Sequence, residues 1–288
     1  MSAGGRAHLR PDVLRVRPAA VAGSFYPADP AALTGALRRA FGDAARAGAG
    51  GPDVAGGGGG EAPVPKVLVV PHAGYPYSGP VAASAYLRLA PAAGRIRRVV
   101  LLGPSHRVRF EGMAVTGADA FETPLGLVPV DAAAREAVLR VGPFVHVHDR
   151  PHAAEHSLEV QLPFLQVVLE RFQLLPLAVG HCPAEEVAAA LDAVWGGPET
   201  LILVSTDLSH YHRYAEARTL DARTAAAVAD LAPERIGDRD ACGAYPLRGA
   251  LLAARARGLA PAVLDLRSSG DTTGDHEAVV GYGAFAFA

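Results

Sequence analysis

The stretch Lys66–Gly79, KVLVVPHAGYPYSG, guides the interpretation of the whole chain. Its first half, Val67–Val70, is an apolar and mostly β-branched run, typical of a strand buried on both faces in a parallel sheet. Pro71 has no N–H to donate to a sheet, so the strand should end there. His72 then follows the carboxyl end of a core strand, where ligands bind in open α/β sheets. A lone histidine there is more often a packing residue. A functional role for His72 therefore requires other polar side chains at the same edge of the sheet.

Outward from this stretch, strand and helix patterns alternate. The predicted strands cover residues 66–71, 97–102, 174–179, 201–205, 261–268 and 278–287, with short strands within 112–130. A first helix is predicted from Pro30 to about Ala45, and later helices cover about 80–91, 131–140, 155–171, 184–195, 215–230 and 244–257. This order predicts an α/β fold: a single domain with a mixed, mostly parallel central sheet flanked by helices on both faces.

Two segments are predicted to lie outside the packed domain. Residues 1–17 are polar and arginine-rich, which indicates a flexible lead-in before a domain at 18–288. Residues 48–62 form a glycine-rich insert, which favours a flexible loop. The glycine run is not a phosphate-binding loop, because no Lys-Ser/Thr pair and no helix pattern follow it.

Composition excludes several classes of function. The 288 residues are 50% hydrophobic and carry a net charge of −2, so the sequence offers no electrostatic case for binding nucleic acid or an anionic membrane. No apolar run reaches about 18 residues, the length of a membrane helix. No signal peptide is expected. With two cysteines there is no disulfide framework, and a cytoplasmic location is the expectation.

Polar side chains follow several of the predicted core strands. His72, His106 and the pair Asp207 and His210 each come just after one, and His181 follows another. Histidine is the commonest metal ligand, and the carboxyl ends of parallel strands meet at one edge of a sheet. The pattern predicts a metal site there. The alternative is that these histidines are ordinary loop residues.

Cys242 is a further candidate, because it precedes a predicted helix whose N-terminus would favour a thiolate. Two histidines and a cysteine would suit iron, copper or zinc with one position open. Asp207 and His210 would share a face if their loop were helical, so that Asp207 could orient His210 or help position a general base. The alternatives are a small buried cysteine and an aspartate that caps a turn.

Three polar residues lie in the first two turns of the predicted helix at 155–171. Glu155 or His156 could reach the pocket if this helix begins at its rim. Glu159 is interpreted as a carboxylate that complements the helix dipole. Tyr75 and Tyr77 are predicted to wall the pocket. Loop solvation is the preferred interpretation of a further cluster of histidines, namely His146, His148 and His152.

Several motifs occur in order between residue 18 and the end of the chain. They are AGSFYP (22–27), PHAGYPYSG (71–79), LLGPSHRV (101–108), ETPLG (122–126), EHSLEVQLPFLQ (155–166), STDLSHY (205–211), ACGAYP (241–246), and GDTTGD followed by VVGYGAFAF (270–287). In these motifs and in their order, the sequence resembles the Memo family, whose bacterial and archaeal members are described as AmmeMemoRadiSam system protein B. One departure is His276, where a tyrosine is expected in many relatives.

The resemblance implies a fold like that of class III extradiol dioxygenases, with metal ligands at His72, His106 and Cys242 and with Asp207 and His210 in the same pocket. Dioxygenase activity is not established for the family. Its animal member is described as a redox-active, iron- or copper-binding mediator of cell motility that binds receptor phosphopeptides. The resemblance therefore implies a metal pocket more firmly than a reaction.

Three functional hypotheses follow. The first is an iron- or copper-dependent redox enzyme in which His210, oriented by Asp207, transfers protons. The second is a non-catalytic partner of an AMMECR-type protein and a radical S-adenosylmethionine enzyme, which would use the pocket to recognise a peptide or small anion. The third is a hydrolase with Cys242 as its nucleophile, although no nucleophile-elbow pattern surrounds it.

Overall fold

The computed structural model of this protein describes residues 14–50 and 63–288. Its strands are β1 (Val16–Arg17), β2 (Val67–Val70), β3 (Arg98–Pro104), β4 (Met113–Val115), β5 (Ala120–Thr123), β6 (Gly126–Pro129), β7 (Val145–Val147), β8 (Gln173–Val179), β9 (Thr200–Ser205), β10 (His210–His212), β11 (Pro261–Ser268) and β12 (Val279–Phe287). Its α-helices are α1 (Pro30–Gly50), α2 (Tyr75–Tyr86), α3 (Ala132–Leu139), α4 (Arg150–Ala153), α5 (His156–Glu159), α6 (Leu162–Val168), α7 (Ala184–Val194), α8 (Tyr214–Ala229), α9 (Ala244–Ala256) and α10 (Ser269–Thr273).

The central sheet is mixed, as predicted. Its strand order is β10-β12-β2-β9-β3-β8-β4-β7, and β11 also pairs with β12. The four central strands β2, β9, β3 and β8 run parallel, whereas β12 and β4 pair antiparallel with β2 and β8. A separate small sheet joins β1, β5 and β6. The parallel centre brings four strand ends to one edge.

Helices cover both faces of this sheet, and alternate residues of each central strand face different helices. In β2, Leu68 and Val70 belong to one apolar cluster, while Val67 and Val69 belong to a second. The first cluster includes residues of α1, α2 and α6, and the second includes residues of α3, α7, α8 and α9. Because both faces are buried, the strands are continuous apolar runs.

Several predicted boundaries were wrong. The first helix continues to Gly50, past the predicted end near Ala45 and into the predicted insert, of which residues 51–62 lie outside the described residues. Residues 1–13 of the predicted lead-in also lie outside them, while Val16–Arg17 form a strand with Arg17 buried. The helix expected near residue 80 begins at Tyr75.

The single helix predicted over 155–171 is instead two helices, α5 and α6. Pro163 lies in the first turn of α6, where its missing N–H costs nothing, but within one continuous helix it would remove a hydrogen bond. The break matters for the site, because it makes α5 a short separate helix that packs against the end of β3.

Lys66, the single lysine of the chain, lies at the opposite end of β2 from His72. Its Nζ donates to the carbonyl oxygens of Trp195 (2.6 Å), Gly197 (2.7 Å) and Thr200 (2.7 Å), and it also lies 5.6 Å from the centre of the Trp195 ring. The Lys66 ammonium group thus holds the turn between α7 and β9 against the start of β2.

We expect Lys66→Met to lower the free energy of unfolding by about 2 kcal/mol, because hydrogen bonds to a charged group contribute roughly 1.5–3 kcal/mol. Urea denaturation followed by circular dichroism measures the change. The control is Arg97→Met, which removes a nearby exposed cation whose side-chain hydrogen bond is a single long one (3.4 Å), and whose loss should cost less than about 0.5 kcal/mol. Equal losses in the two variants would contradict this role for Lys66.

Candidate metal centre

The edge formed by the carboxyl ends of the parallel strands carries the predicted polar residues. His72, His106 and Asp207 each stand two positions beyond the last residue of β2, β3 and β9, respectively. His181 has the same position after β8, but its side chain is 62% exposed and pairs with Glu111. Three of the four strand ends therefore contribute side chains to one place, and the fourth does not.

Three histidines form the centre of this site. His72, His106 and His156 each offer a potential ligand atom, and these atoms all lie within 4.8 Å of one another. The ring of His106 is stacked on that of His156 at 4.5 Å, and the His72 ring meets both edge-on at 5.1 and 5.2 Å. The sequence predicted His156 as a pocket residue, whereas the structure places it as the third member of the cluster.

The hydrogen bonds of His72 determine which of its nitrogens is free. Ser205 Oγ donates its one proton to the Ser157 carbonyl oxygen (2.6 Å), so it must accept from His72 Nδ1–H (2.9 Å). His72 Nε2 then carries the ring's lone pair, and its hydrogen-bond partner among the described residues is Cys242 Sγ at 3.2 Å. Burial, followed by the neighbouring His106, lowers the pKa of His72 to about 3, so the ring is neutral. A neutral imidazole with a free lone pair is the form that binds metals.

Glu155 fixes the tautomer of His106, as Ser205 does for His72. Its carboxylate accepts from the backbone N–H (2.6 Å) and Nδ1 (2.8 Å) of His106, and from the backbone N–H groups of His156 and Ser157. Burial raises the pKa of Glu155, but these hydrogen bonds, led by that from His106, outweigh burial and bring it to about 2. Because an ionised carboxylate can only accept, His106 Nδ1 carries the proton and Nε2 is free.

His156 differs from the other two because one of its ring nitrogens lacks a partner. Its buried Nδ1 lies 3.3 Å from Glu155 Oε1 but makes no hydrogen bond with any described residue. Burial, followed by the neighbouring His72, lowers the pKa of His156 to about 3. The ring packs against Phe25 at 4.5 Å. One ring nitrogen of His156 lies within 4.8 Å of the ligand atoms of His72 and His106, and three imidazoles are a donor set that suits a transition metal.

Cys242 lies beside His72, at the start of α9. Its Sγ is 3.2 Å from His72 Nε2 and accepts from the backbone N–H of Asp207 (3.2 Å), although it is not one of the three atoms grouped above. Gly243 makes this approach possible, because a Cβ there would lie 2.8 Å from the Thr206 side chain. Burial, followed by the charge of Asp207, raises the pKa of the thiol. In the metal-free protein, burial therefore opposes the thiolate that the helix N-terminus was expected to favour.

Asp207 and His210 share the site without a hydrogen bond between their side chains. Asp207 Oδ1 accepts from the backbone N–H of His72 (2.7 Å), whereas His210 Nδ1 bonds the Leu208 carbonyl oxygen (2.8 Å). The loop between them is not helical, so the shared helical face does not form. Burial raises the pKa of Asp207 to about 6, although the His72 N–H opposes this. His210 Nδ1 must donate to the carbonyl, which leaves its Nε2 free.

The two predicted wall tyrosines have different surroundings. Tyr75 is buried and donates to the Val160 carbonyl oxygen (2.8 Å), so it supports the segment after α5. Tyr77 is 44% exposed. His276, the departure from the family pattern, stacks on Tyr214 at 4.2 Å.

A buried ion pair holds the segment that supplies Glu155 and His156. Arg17 pairs with Glu159 and also donates to the carbonyl oxygens of His152 (2.9 Å) and Glu155 (2.8 Å). Glu159 further accepts from the backbone N–H groups of Ala20 and Val21 and from the Tyr26 hydroxyl. Its interpretation as a helix-dipole carboxylate was wrong, since its side chain is 0% exposed.

His152 is also buried, with Nε2 3.0 Å from the Ala114 carbonyl oxygen, so the solvated-loop interpretation was wrong for this residue. Sequence reasoning missed this arrangement because Arg17 and Glu159 are 142 positions apart. The local signal was weak: Arg17 is one of two arginines in residues 14–21, a stretch that otherwise holds apolar residues and a proline.

Comparison with known proteins adds to this geometry. The family model described as "Memo-like protein" matches residues 17–286. A "MEMO1 family protein" of Aquifex aeolicus is 36% identical over 280 residues, covering 93% of this chain and 98% of that protein. One of Metallosphaera sedula is 34% identical, covering 95% and 99%. The crystal structure of an uncharacterized protein from Escherichia coli K12 has a TM-score of 0.53 at 13% identity, covering 76% of this chain and 98% of that one, which shows a shared fold alone.

Within the described residues, no helix combines the length and apolar character needed to cross a membrane.

We expect Glu159→Gln to lower the free energy of unfolding by about 3–5 kcal/mol, because it leaves Arg17 as an unpaired buried charge. Urea denaturation measures the loss. The control is Glu122→Gln, the same change at an exposed residue of β5, which should cost less than about 0.5 kcal/mol. A loss below about 1 kcal/mol for Glu159→Gln would show that the buried pair does not hold this segment.

Proposed function

This chain belongs to the Memo family, and we propose that it binds iron or copper at His72 and His106, with a third ligand from His156 or Cys242, and uses the metal in redox chemistry. The observation that carries the proposal is the tautomer of the first two histidines. Ser205 and Glu155 each hold an Nδ1 proton, so that both Nε2 atoms carry their lone pairs at one edge of the sheet, with Cys242 Sγ 3.2 Å from that of His72.

The donor set supports a transition metal over Ca²⁺ or Mg²⁺. Neutral imidazoles and a sulfur suit iron, copper and zinc, whereas the harder cations take oxygen ligands. Glu155 accepting from His106 is the carboxylate–histidine arrangement that orients metal-binding imidazoles. Zinc would fit the same donors, so the choice of iron or copper rests on the family resemblance.

The third ligand has two candidates for different reasons. His156 has a ligand atom grouped with those of His72 and His106, and its buried Nδ1 lacks a partner among the described residues. Cys242 was predicted from the family motif, and its Sγ lies 3.2 Å from His72 Nε2, a separation that two ligands of one metal can have. Its thiol would lose its proton on binding.

A bound iron or copper would supply one-electron chemistry and a position for oxygen or substrate. The protein's own residues supply the rest. His210 Nε2 is free to accept a proton, while its Nδ1–H is held by the Leu208 carbonyl oxygen. Asp207, with its raised pKa of about 6, is a second group able to exchange a proton near neutral pH. We propose His210 and Asp207 as separate proton-transfer groups.

A second candidate function is the recognition of a partner, such as an AMMECR-type protein or a radical S-adenosylmethionine enzyme. The observation that favours it is Tyr211, which is 78% exposed and adopts a left-handed φ of +62° next to His210. A non-glycine residue in this region carries a backbone cost of about 1 kcal/mol or more. This backbone conformation places the exposed ring of Tyr211 beside the site.

We expect Tyr211→Ala to weaken a partner complex about tenfold or more, since exposed aromatic residues are frequent hot spots of interfaces. Co-purification and titration with the two companion proteins measure this. Leu127→Ala, at a residue of β6 that is 50% exposed, is the control. Binding that neither variant alters would count against this surface.

For the metal, we expect His72→Ala to lose most of its iron and copper binding and Glu155→Gln to weaken it about 10- to 100-fold through its partner His106. Metal content after anaerobic reconstitution, together with competition against a coloured chelator, gives the affinities. Variants His156→Ala and Cys242→Ser then separate the two candidate ligands, because the true ligand should show the larger loss.

Two further controls are His146→Ala and Cys182→Ala, which remove a histidine and a cysteine that lie outside the metal site. His146 is half-buried on β7, and Cys182 is buried with Sγ 3.5 Å from Glu186 Oε2. Both should bind metal as the wild type does. Wild-type metal content in His72→Ala would overturn the assignment.

A further inference from the structure

A cavity of about 410 Å³ adjoins Cys242 on the side of β3 and β8. Its walls come from the segment after β3, the segment after β8 and the start of α9. The wall residues that matter for its chemistry are Arg109, Phe110, Glu111, His181, Cys242 and Tyr245. This volume lies within the range of small-molecule sites in proteins, which is about 300–1,000 Å³.

Backbone hydrogen bonds hold two of these walls together. The backbone N–H of His181 donates to the Phe110 carbonyl oxygen (2.9 Å), and that of Gly112 donates to the His181 carbonyl oxygen (2.8 Å). Gly180 is required for this contact, since a Cβ there would lie 2.1 Å from the Phe110 carbonyl oxygen. The cavity is therefore preformed by the backbone.

The side chains of His181 and Tyr245 also line the cavity. The His181 ring meets the Tyr245 ring edge-on at 5.1 Å, and the Arg248 guanidinium lies 5.0 Å from the centre of the Tyr245 ring. His181 Nδ1 is 2.8 Å from Glu111 Oε2. The carboxylate of Glu111 and the guanidinium of Arg248, which pairs with Asp238, thus both have partners.

Arg109 is the exception among the charged residues around this cavity. Within residues 14–50 and 63–288, its guanidinium makes no ion pair and no side-chain hydrogen bond. It shares the cavity with the apolar side chains of Val108, Phe110 and Val179. Arg109 is exposed, so a ligand can reach its guanidinium from solvent. A guanidinium binds a carboxylate through two parallel hydrogen bonds.

We infer that this cavity binds a small carboxylate with a short apolar body, whose carboxylate pairs with Arg109 and whose other end reaches Cys242. The placement of that end beside the metal site rests on the proposed function, while the cavity and its unpaired arginine do not. The ligand would thus enter beside the metal and be oriented by its charged end.

The test uses metal-free, full-length protein and ¹⁹F NMR titration with 4,4,4-trifluorobutanoate and with its neutral amide. We expect Arg109→Gln to raise the Kd of the carboxylate about tenfold, which corresponds to about 1.4 kcal/mol. Arg109→Lys should retain part of the affinity because it keeps the charge. Binding of the amide should be the same in all variants.

The matched control is Arg107→Gln. Arg107 is an arginine of the same loop that is exposed like Arg109, lies near His156 and does not line the cavity. Its substitution should change the Kd of the carboxylate less than twofold. The inference would be overturned if the two substitutions weakened binding equally, or if the wild type did not bind the carboxylate at millimolar concentrations.

Failure of this inference can be told apart from failure of the proposed function. The titration contains no metal, so a protein that does not bind iron or copper could still bind the carboxylate at Arg109. Conversely, the wild type could bind metal normally but fail to bind the carboxylate. The proposed metal site would then stand, and the inference that the cavity binds a carboxylate would be wrong.

Discussion

The buried carboxylate of Glu155 is the interaction on which the site depends. It accepts hydrogen bonds from both the backbone N–H and the ring Nδ1–H of His106, and it caps the start of the helix that carries His156. One group thereby orients two of the three clustered histidines and sets the tautomer of one. Because four N–H donors converge on it, the carboxylate remains ionised although it is buried, and its pKa lies at about 2.

Glu155 is in turn held by a second buried network. Arg17 donates to the Glu155 carbonyl oxygen and pairs with Glu159. The Glu159 carboxylate in turn accepts a hydrogen bond from the backbone N–H of Val21. A buried ion pair contributes little net stability compared with an apolar pair, but it is expensive to break. Its role here is positional: it ties the chain at residues 17–26 to the loop that carries Glu155, and Phe25 thereby reaches His156.

Sequence patterns identified the elements that carry strong local signals. Each buried parallel strand was an uninterrupted apolar run, so the strands before His72, His106 and Asp207 could be placed to within one or two residues, and the mixed sheet could be predicted. Where the local signal was ambiguous, prediction was wrong. A helical apolar pattern spanned Pro163, which hid the break between α5 and α6, and the charged residues Arg17 and Glu159 resembled surface residues although both are buried.

The sequence by itself determined the family, the α/β order and the edge at which the histidines would meet, because strand ends and motifs are local features of the chain. The tertiary structure alone decided that His156 joins His72 and His106, that burial raises the pKa of the Cys242 thiol, and that His210 bonds Leu208 instead of Asp207. These outcomes depend on burial and on hydrogen bonds between residues far apart in sequence. No periodicity or spacing encodes them.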